Sequence, residues 1–195
     1  ILSDAVQDYS TLLSSTITIA RLEKKWQEYL KINSWIFSSI FAQPIILFKD
    51  EAYVGGKDIN NTNGKFSDYL MKNKLSDNVT FLEIKTHKTQ LLSDKAYRGT
   101  DVYSVTEELS GCINQVLNQR DNFQKEYDHL KRKSKENFET INSKCIVIIG
   151  QHKSLTEEQK HCFELFRNNC RDVEIITFDE LLLKIQNILT LKLKK

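Results

Sequence analysis

Proline is almost missing from this chain: Pro44 stands alone among 195 residues, and glycine totals 6. So few backbone breakers argue against disorder and against a low-complexity linker. The four cysteines, Cys112, Cys145, Cys162 and Cys170, include no C-x-x-C pair, which leaves a zinc site little support. Cys145 lies in an apolar run and Cys112 in a helical pattern, as reduced, buried thiols do. No apolar run approaches the length of a membrane span and no signal peptide is visible. The expectation is therefore a reducing cytoplasm with no membrane partner, in which the glycosylation-like triplet Asn60-Asn61-Thr62 is chance. Charge of one sign is also lacking. The 28 basic and 26 acidic residues leave a net charge of +2, which neither supports nor excludes a nucleic-acid partner.

What is present suits one well-packed domain. Hydrophobic residues make up 40% and charged residues 28%, ordinary for a soluble globular protein. The first residue is Ile1, so a piece of a longer chain is expected. Residues 1–21 read as a helical lead-in and 22–195 as the main domain.

Apolar residues recur at three- and four-residue steps over 4–31, from Leu12 and Leu13 to Trp26, Tyr29 and Leu30, which predicts a helix. A short apolar helix over 34–41 follows, and Pro44 ends helical structure. Residues 45–54, 66–71 and 79–86 read as strands, with a Gly/Asn/Asp-rich turn over 55–65. A polar loop covers 87–101. Ser104 or Thr106 then caps a long helix that bends or breaks between 121 and 136. CIVIIG at 145–150 reads as a buried strand, with a Ser154-capped helix after it. A strand at 172–178 and an Asp179-capped helix close the chain. Hairpin-linked strands followed by strand–helix crossovers predict an α/β fold with a mixed central β-sheet flanked by helices.

The informative constellation is Asp68 on one strand and Glu83-Ile84-Lys85 on the next. Side chains two apart on a strand share a face, so Glu83 and Lys85 lie with Val79 and Phe81 while Leu82 and Ile84 point the other way. An acid and a lysine on an apolar strand are costly unless paired or used. If Asp68 stands opposite, two carboxylates and an ammonium converge. Two carboxylates, with the Ile84 carbonyl, suit Mg²⁺ (or Mn²⁺ in its place), a hard cation that takes oxygen ligands. Such a site activates water against a phosphodiester, and Lys85 orients that water or offsets developing charge. Acid-x-Lys is a common tripeptide and alone is usually a solvated face. The core-like strand, the acid on the preceding strand and the capped helix carrying Gln115 set this one apart.

With these elements in this order, the sequence resembles the PD-(D/E)xK (restriction-endonuclease-like) nuclease superfamily, and within it the Shedu antiphage-defence nuclease domain. WQEYLKINSWIF at 26–37, FSDYL at 66–70, FLEIKTHKTQLL at 81–92, VYSVTEELSGCINQVLNQRDNF at 102–123, IVIIG at 146–150 and VEIITFDELL at 173–182 carry the resemblance. Together they span roughly residues 22–190. The resemblance implies a PD-(D/E)xK core over 22–195, with Asp68 and Glu83 as metal ligands and Lys85 as the catalytic lysine. Gln115 would project toward the site, and Glu28, with Glu23 nearby, would supply an extra helical acid. Ser67 stands where the family often has Pro. The resemblance further implies nicking or cleavage of double-stranded DNA in bacterial immunity, an N-terminal sensing region and a homo-oligomer. The competing reading is a catalytically inactive module of the same fold, kept for DNA binding or oligomeric assembly.

Basic residues outside the motif are candidate DNA contacts: Arg98 in the loop after the catalytic strand, Arg120 beyond Gln115, and Lys131, Arg132 and Lys133 after the long helix. Each competes with a solvated-surface reading, because Glu126, Asp128 and Glu136 interleave with the last group. Gln119, one turn past Gln115, reaches DNA or faces water. His87, His129, His152 and His161 lack metal spacing and are expected at the surface. Trp26 and Trp35 are expected in the core.

Overall fold

The computed structural model of the chain describes residues 2–55 and 64–193. Its elements are helices α1 (Leu2–Leu13) and α2 (Ile19–Ile32), a 3₁₀ turn (Ser34–Ser39), and strands β1 (Ile45–Gly55), β2 (Lys65–Asn73) and β3 (Val79–Ile84). Helices α3 (Glu107–Lys125) and α4 (Tyr127–Lys133), strand β4 (Cys145–Ile148), helix α5 (Glu157–Asn169), strand β5 (Val173–Ile176) and helix α6 (Phe178–Leu193) follow. The expected α/β architecture is present. The sheet order is β1-β2-β3-β4-β5, antiparallel through the first three strands and parallel through the last three. The turn expected over 55–65 lies mostly outside the described residues.

Strand β3 is buried along its whole length, and its two-residue period divides the core. Leu82 and Ile84 join Tyr9, Trp26, Ile36 and Phe178 on one face. Val79 and Phe81 join Val116, Phe123 and Phe163 on the other. Helices α1, α2 and α6 cover the first face, and α3 and α5 cover the second. Each fully buried large apolar side chain contributes about 1.5–3 kcal/mol, which gives the sheet little freedom to slip register.

Several boundaries differ from the sequence reading for local reasons. The helix expected over 4–31 is two helices. Between them, Ser15 binds the Ile17 N–H with its own hydroxyl, and the β-branched Thr16-Ile17-Thr18 run weakens helix propagation. The break lets α1 fold back: the Tyr9 hydroxyl donates to the Phe178 carbonyl at 2.8 Å and the Tyr29 hydroxyl to the Ala5 carbonyl at 2.7 Å. The short apolar helix is a 3₁₀ turn. The long helix breaks at Glu126. Thr106 is its cap, and Thr156, not Ser154, caps α5 through a capping box with Gln159. Helix α6 starts at Phe178, one residue before Asp179, whose carboxylate instead accepts the N–H groups of His152 and Lys153.

Gly150 fixes the strand ends that carry the site. Its N–H donates to the Thr86 carbonyl and its carbonyl accepts from the Phe178 N–H, both at 3.0 Å. Its φ is +62°, and a Cβ there would lie 2.7 Å from the Leu91 side chain and the Thr89 carbonyl. Gly150→Ala is therefore expected to cost about 2–4 kcal/mol, read as a fall in melting temperature. An unchanged melting temperature would show that the loop after β3 gives way freely.

Candidate active site

The pairing of β2 with β3 ends at Tyr69↔Leu82. One step further along this register stand Asp68 and Glu83. Here a side chain replaces the ladder: Asp68 Oδ2 accepts the Ile84 N–H at 2.8 Å, and Oδ1 accepts from Gln27 Nε2 of α2 at 2.9 Å. A buried backbone donor at a strand end needs such a partner. On β1, Glu51 lies between the pairs Asp50↔Tyr69 and Ala52↔Ser67, hence opposite Asp68, and has φ +47°.

Glu83 is 1% exposed and Lys85 19%. Both face α3, as the strand period requires. Glu83 Oε1 accepts from Gln115 Nε2 at 2.5 Å and from Lys85 Nζ at 3.2 Å. Glu83 Oε2 accepts from Gln119 Nε2 at 3.0 Å. Lys85 Nζ also donates to Gln115 Oε1 at 3.4 Å. Asp68, Glu83, Lys85 and Gln115, all expected at the site, are thus tied together through shared hydrogen bonds or mutual charge.

The electrostatics follow from burial. Asp68 is pushed up to about 7, first by desolvation and then by the Glu83 charge. Desolvation also raises Glu83, against the Gln119 hydrogen bond and the Lys85 charge. Lys85 is raised: desolvation works against its charge, but the negative charges of Glu83 and Glu23 outweigh it. Cys112, on the same face of α3, has its thiol driven well up by burial and by Glu83. It stays protonated at neutral pH and packs as an apolar group.

Of the two acids on α2, Glu23 acts on the site: its charge raises Asp68 and Glu83 and supports Lys85. Glu23 and Gln27, four residues apart, share a helix face. Glu28 is exposed and lines a cavity of about 230 Å³ with Gln27, Lys31, Asp50, Glu51 and Asp68. Among the described residues, no group of three or more His, Cys, Asp or Glu side chains is placed to hold a metal. Two carboxylates remain, as a Mg²⁺ site needs when water and substrate complete the shell. Each ionised oxygen has more than one acceptor position, so Asp68 and Glu83 keep capacity for a cation beside their present partners. Both acids are oxygen donors of the kind a divalent cation takes, and such a charge would offset the cost of withdrawing them from water.

The basic candidates are dispersed. Arg120 donates to the Ser143 carbonyl at 3.3 Å and meets Asp172 at 3.8 Å. Lys131 pairs with Glu139 at 2.7 Å and lies over the Tyr127 and Phe138 rings. Arg132 and Lys133 are exposed at the end of α4. That segment runs to Glu139, which bridges Asn78 just before β3. At about 3.3 Å per residue, it lies roughly 15 Å along the strand from Glu83. Arg98 is exposed on a small turn, bridged to Val102 beside Gly99.

His87 is not at the surface as expected. It is buried, its Nδ1 accepts the Trp26 indole N–H at 3.0 Å, and desolvation with Lys88 and Lys153 lowers it to about 4. A fully buried indole needs an acceptor, and His87 supplies it two residues past Lys85. Gln27 and Gln119 also escaped the sequence reading as site residues. A signal for Gln119 existed: it occupies the buried stripe Leu109, Cys112, Val116, Gln119, Phe123.

No helix among the described residues is long and apolar enough to cross a membrane, and all four cysteines are free. The family model described as Shedu protein SduA, C-terminal, matches residues 20–182. Shedu protein SduA of Bacillus cereus (strain B4264) is 41% identical over 175 residues, which are 87% of this chain and 46% of that protein. The chain spans about half the length of the curated relative it matches.

Proposed function

We propose, from the premise that the chain belongs to the Shedu SduA C-terminal family, that it is a metal-dependent endonuclease that nicks or cleaves double-stranded DNA in bacterial antiphage defence. The observation that carries the reading is the convergence of a buried carboxylate, a half-buried one and a half-buried ammonium: Lys85 Nζ lies 3.2 Å from Glu83 Oε1, and Asp68 holds the Ile84 N–H beside it. A buried acid pair that raises its own protonation is a poor structural device and a good cation site.

Asp68 and Glu83 would hold the cation, Mg²⁺ or Mn²⁺. When bound, it supplies Lewis acidity toward the phosphoryl oxygens and lowers the pKa of water. The chain's own residues do the rest. Gln27 and the Ile84 N–H fix the rotamer of Asp68. Gln115 holds Glu83 and steers Lys85. The Lys85 ammonium, charged at neutral pH, stabilises negative charge that develops at the phosphorus as water attacks, or orients that water. No covalent enzyme intermediate is needed. Of the two α2 acids, Glu23 suits the supporting role better than Glu28, because its charge reaches both carboxylates and Lys85. The partner is duplex DNA, met through phosphates. Exposed Arg98, Arg132 and Lys133 are freer to take that role than Arg120 and Lys131, which have internal partners. A homo-oligomer and an N-terminal sensing region of the same protein complete the proposal.

Supercoiled plasmid is the test. With Mg²⁺ the wild type is expected to nick or linearise it; with chelator it does not, and Lys85→Ala loses the activity at unchanged fold. DNA affinity should fall steeply with salt. Intact plasmid throughout, with DNA still bound, would replace the enzyme by a binding module of the same fold.

A further inference from the structure

Among the described residues, one buried side-chain polar atom near the site has no partner: Gln119 Oε1. Gln119 is 2% exposed, and buried amide oxygens are almost always satisfied by protein, water or an ion. Its orientation is not arbitrary. Nε2 faces two acceptors, Glu83 Oε2 at 3.0 Å and the Phe66 carbonyl at 2.9 Å. Turning the amide over would set its oxygen against both and leave two N–H groups without acceptors. The hydrogen-bond network therefore holds a bare carbonyl-type oxygen on a side chain bonded to Glu83.

We propose that Gln119 Oε1 is a neutral oxygen ligand of the cation site, beside Glu83, which no acid on α2 completes. The inference rests on the cation reading above and names a ligand for the same site. Two observations and one general rule favour it. Asp68 and Glu83 gain no third His, Cys, Asp or Glu among the described residues. Hard cations accept side-chain amide oxygens as readily placed ligands. Gln119 is tied directly to Glu83 through Nε2, so its unpartnered oxygen belongs to an amide that already touches one of the two carboxylates. The same residue thus orients Glu83 through its nitrogen and offers a ligand through its oxygen. A purely apolar role is contradicted by its two hydrogen bonds.

Mn²⁺ binding, followed by titration calorimetry and by the spin-resonance signal of the free ion, tests this without reference to cleavage. Gln119→Met keeps the length and removes both functions; it is expected to weaken Mn²⁺ binding about tenfold or more. Gln119→Glu removes the amide donor and keeps an oxygen; it is expected to hold Mn²⁺ within about threefold of wild type or more tightly. Circular dichroism and melting without metal establish that each variant is folded. A Met variant that binds like wild type overturns the proposal. So does a folded Glu variant as weak as the Met variant, because the nitrogen alone would then matter. A wild type that binds no Mn²⁺ removes the cation reading itself and this ligand with it.

Discussion

Glu83→Gln is expected to abolish plasmid cleavage, with a loss on the order of 10³-fold or more, while the protein remains folded. The substitution preserves volume at a position only 1% exposed, so no cavity forms. The hydrogen bond on one side of its carboxylate can be rebuilt. The new amide oxygen takes the place of Oε2 and keeps the Gln119 donor, which cannot rotate because it also serves the Phe66 carbonyl. The new NH₂ then faces Gln115, which accepts from it only by turning its oxygen away from Lys85. What cannot be rebuilt is the charge: Lys85 loses its anionic partner and the cation loses one of two carboxylates. Stability without metal should be unchanged or slightly higher, since a buried carboxylate becomes a neutral group. Cleavage equal to wild type would remove Glu83 from the mechanism. Collapse of the fold would instead mark it as a structural anchor.

Much of this was legible because the strands obey simple rules. VTFLEI alternates between two cores, and that period alone places Glu83 beside α3 and Ile84 away from it. The acid on the neighbouring strand is opposite Glu83 because the hairpin register runs antiparallel through Tyr69↔Leu82. Helix ends were less legible. Thr156 and Ser154 are equally good caps in sequence, and the capping box with Gln159 decides between them. The break near Thr16 depends on Tyr9 and Tyr29 finding distant carbonyls, which no local pattern contains. The polar shell was hardest to read. Gln27 is aimed at Asp68 by the packing of α2 on the sheet, and His87 is buried because Trp26 requires an acceptor. Both are consequences of tertiary contact between segments roughly 40 and 60 residues apart. Gln119 was expected to reach DNA or face water and is instead buried, although a polar residue on an otherwise apolar helical stripe announces a buried partner.

The same buried charge gives the metal-free protein a distinctive pH response, and Asp68→Asn should remove it. Asp68 has an ordinary value of 3.8 when exposed and about 7 when folded. Between those values the folded state binds more protons than the unfolded state. Stability therefore falls as pH rises from about 4 to about 7 and levels off above, where both states are ionised. At pH 8 the wild type bears the full cost of an ionised, half-buried Asp68 next to Glu83. In the Asp68→Asn variant the new amide retains an oxygen for the Ile84 N–H and offers its NH₂ to Gln27, whose own amide turns to accept. The variant is expected to gain about 1–3 kcal/mol at pH 8 without metal, a rise of several degrees in melting temperature for a chain of this size. Near pH 4 the difference should vanish. Mg²⁺ should reverse the ranking above pH 7: it stabilises the wild type by binding only the folded form, and the variant, with one carboxylate, gains little. Parallel melting-temperature profiles for the two proteins from pH 4 to 8, unaffected by Mg²⁺, would mean that Asp68 is solvated after all and that the acids do not share an ion.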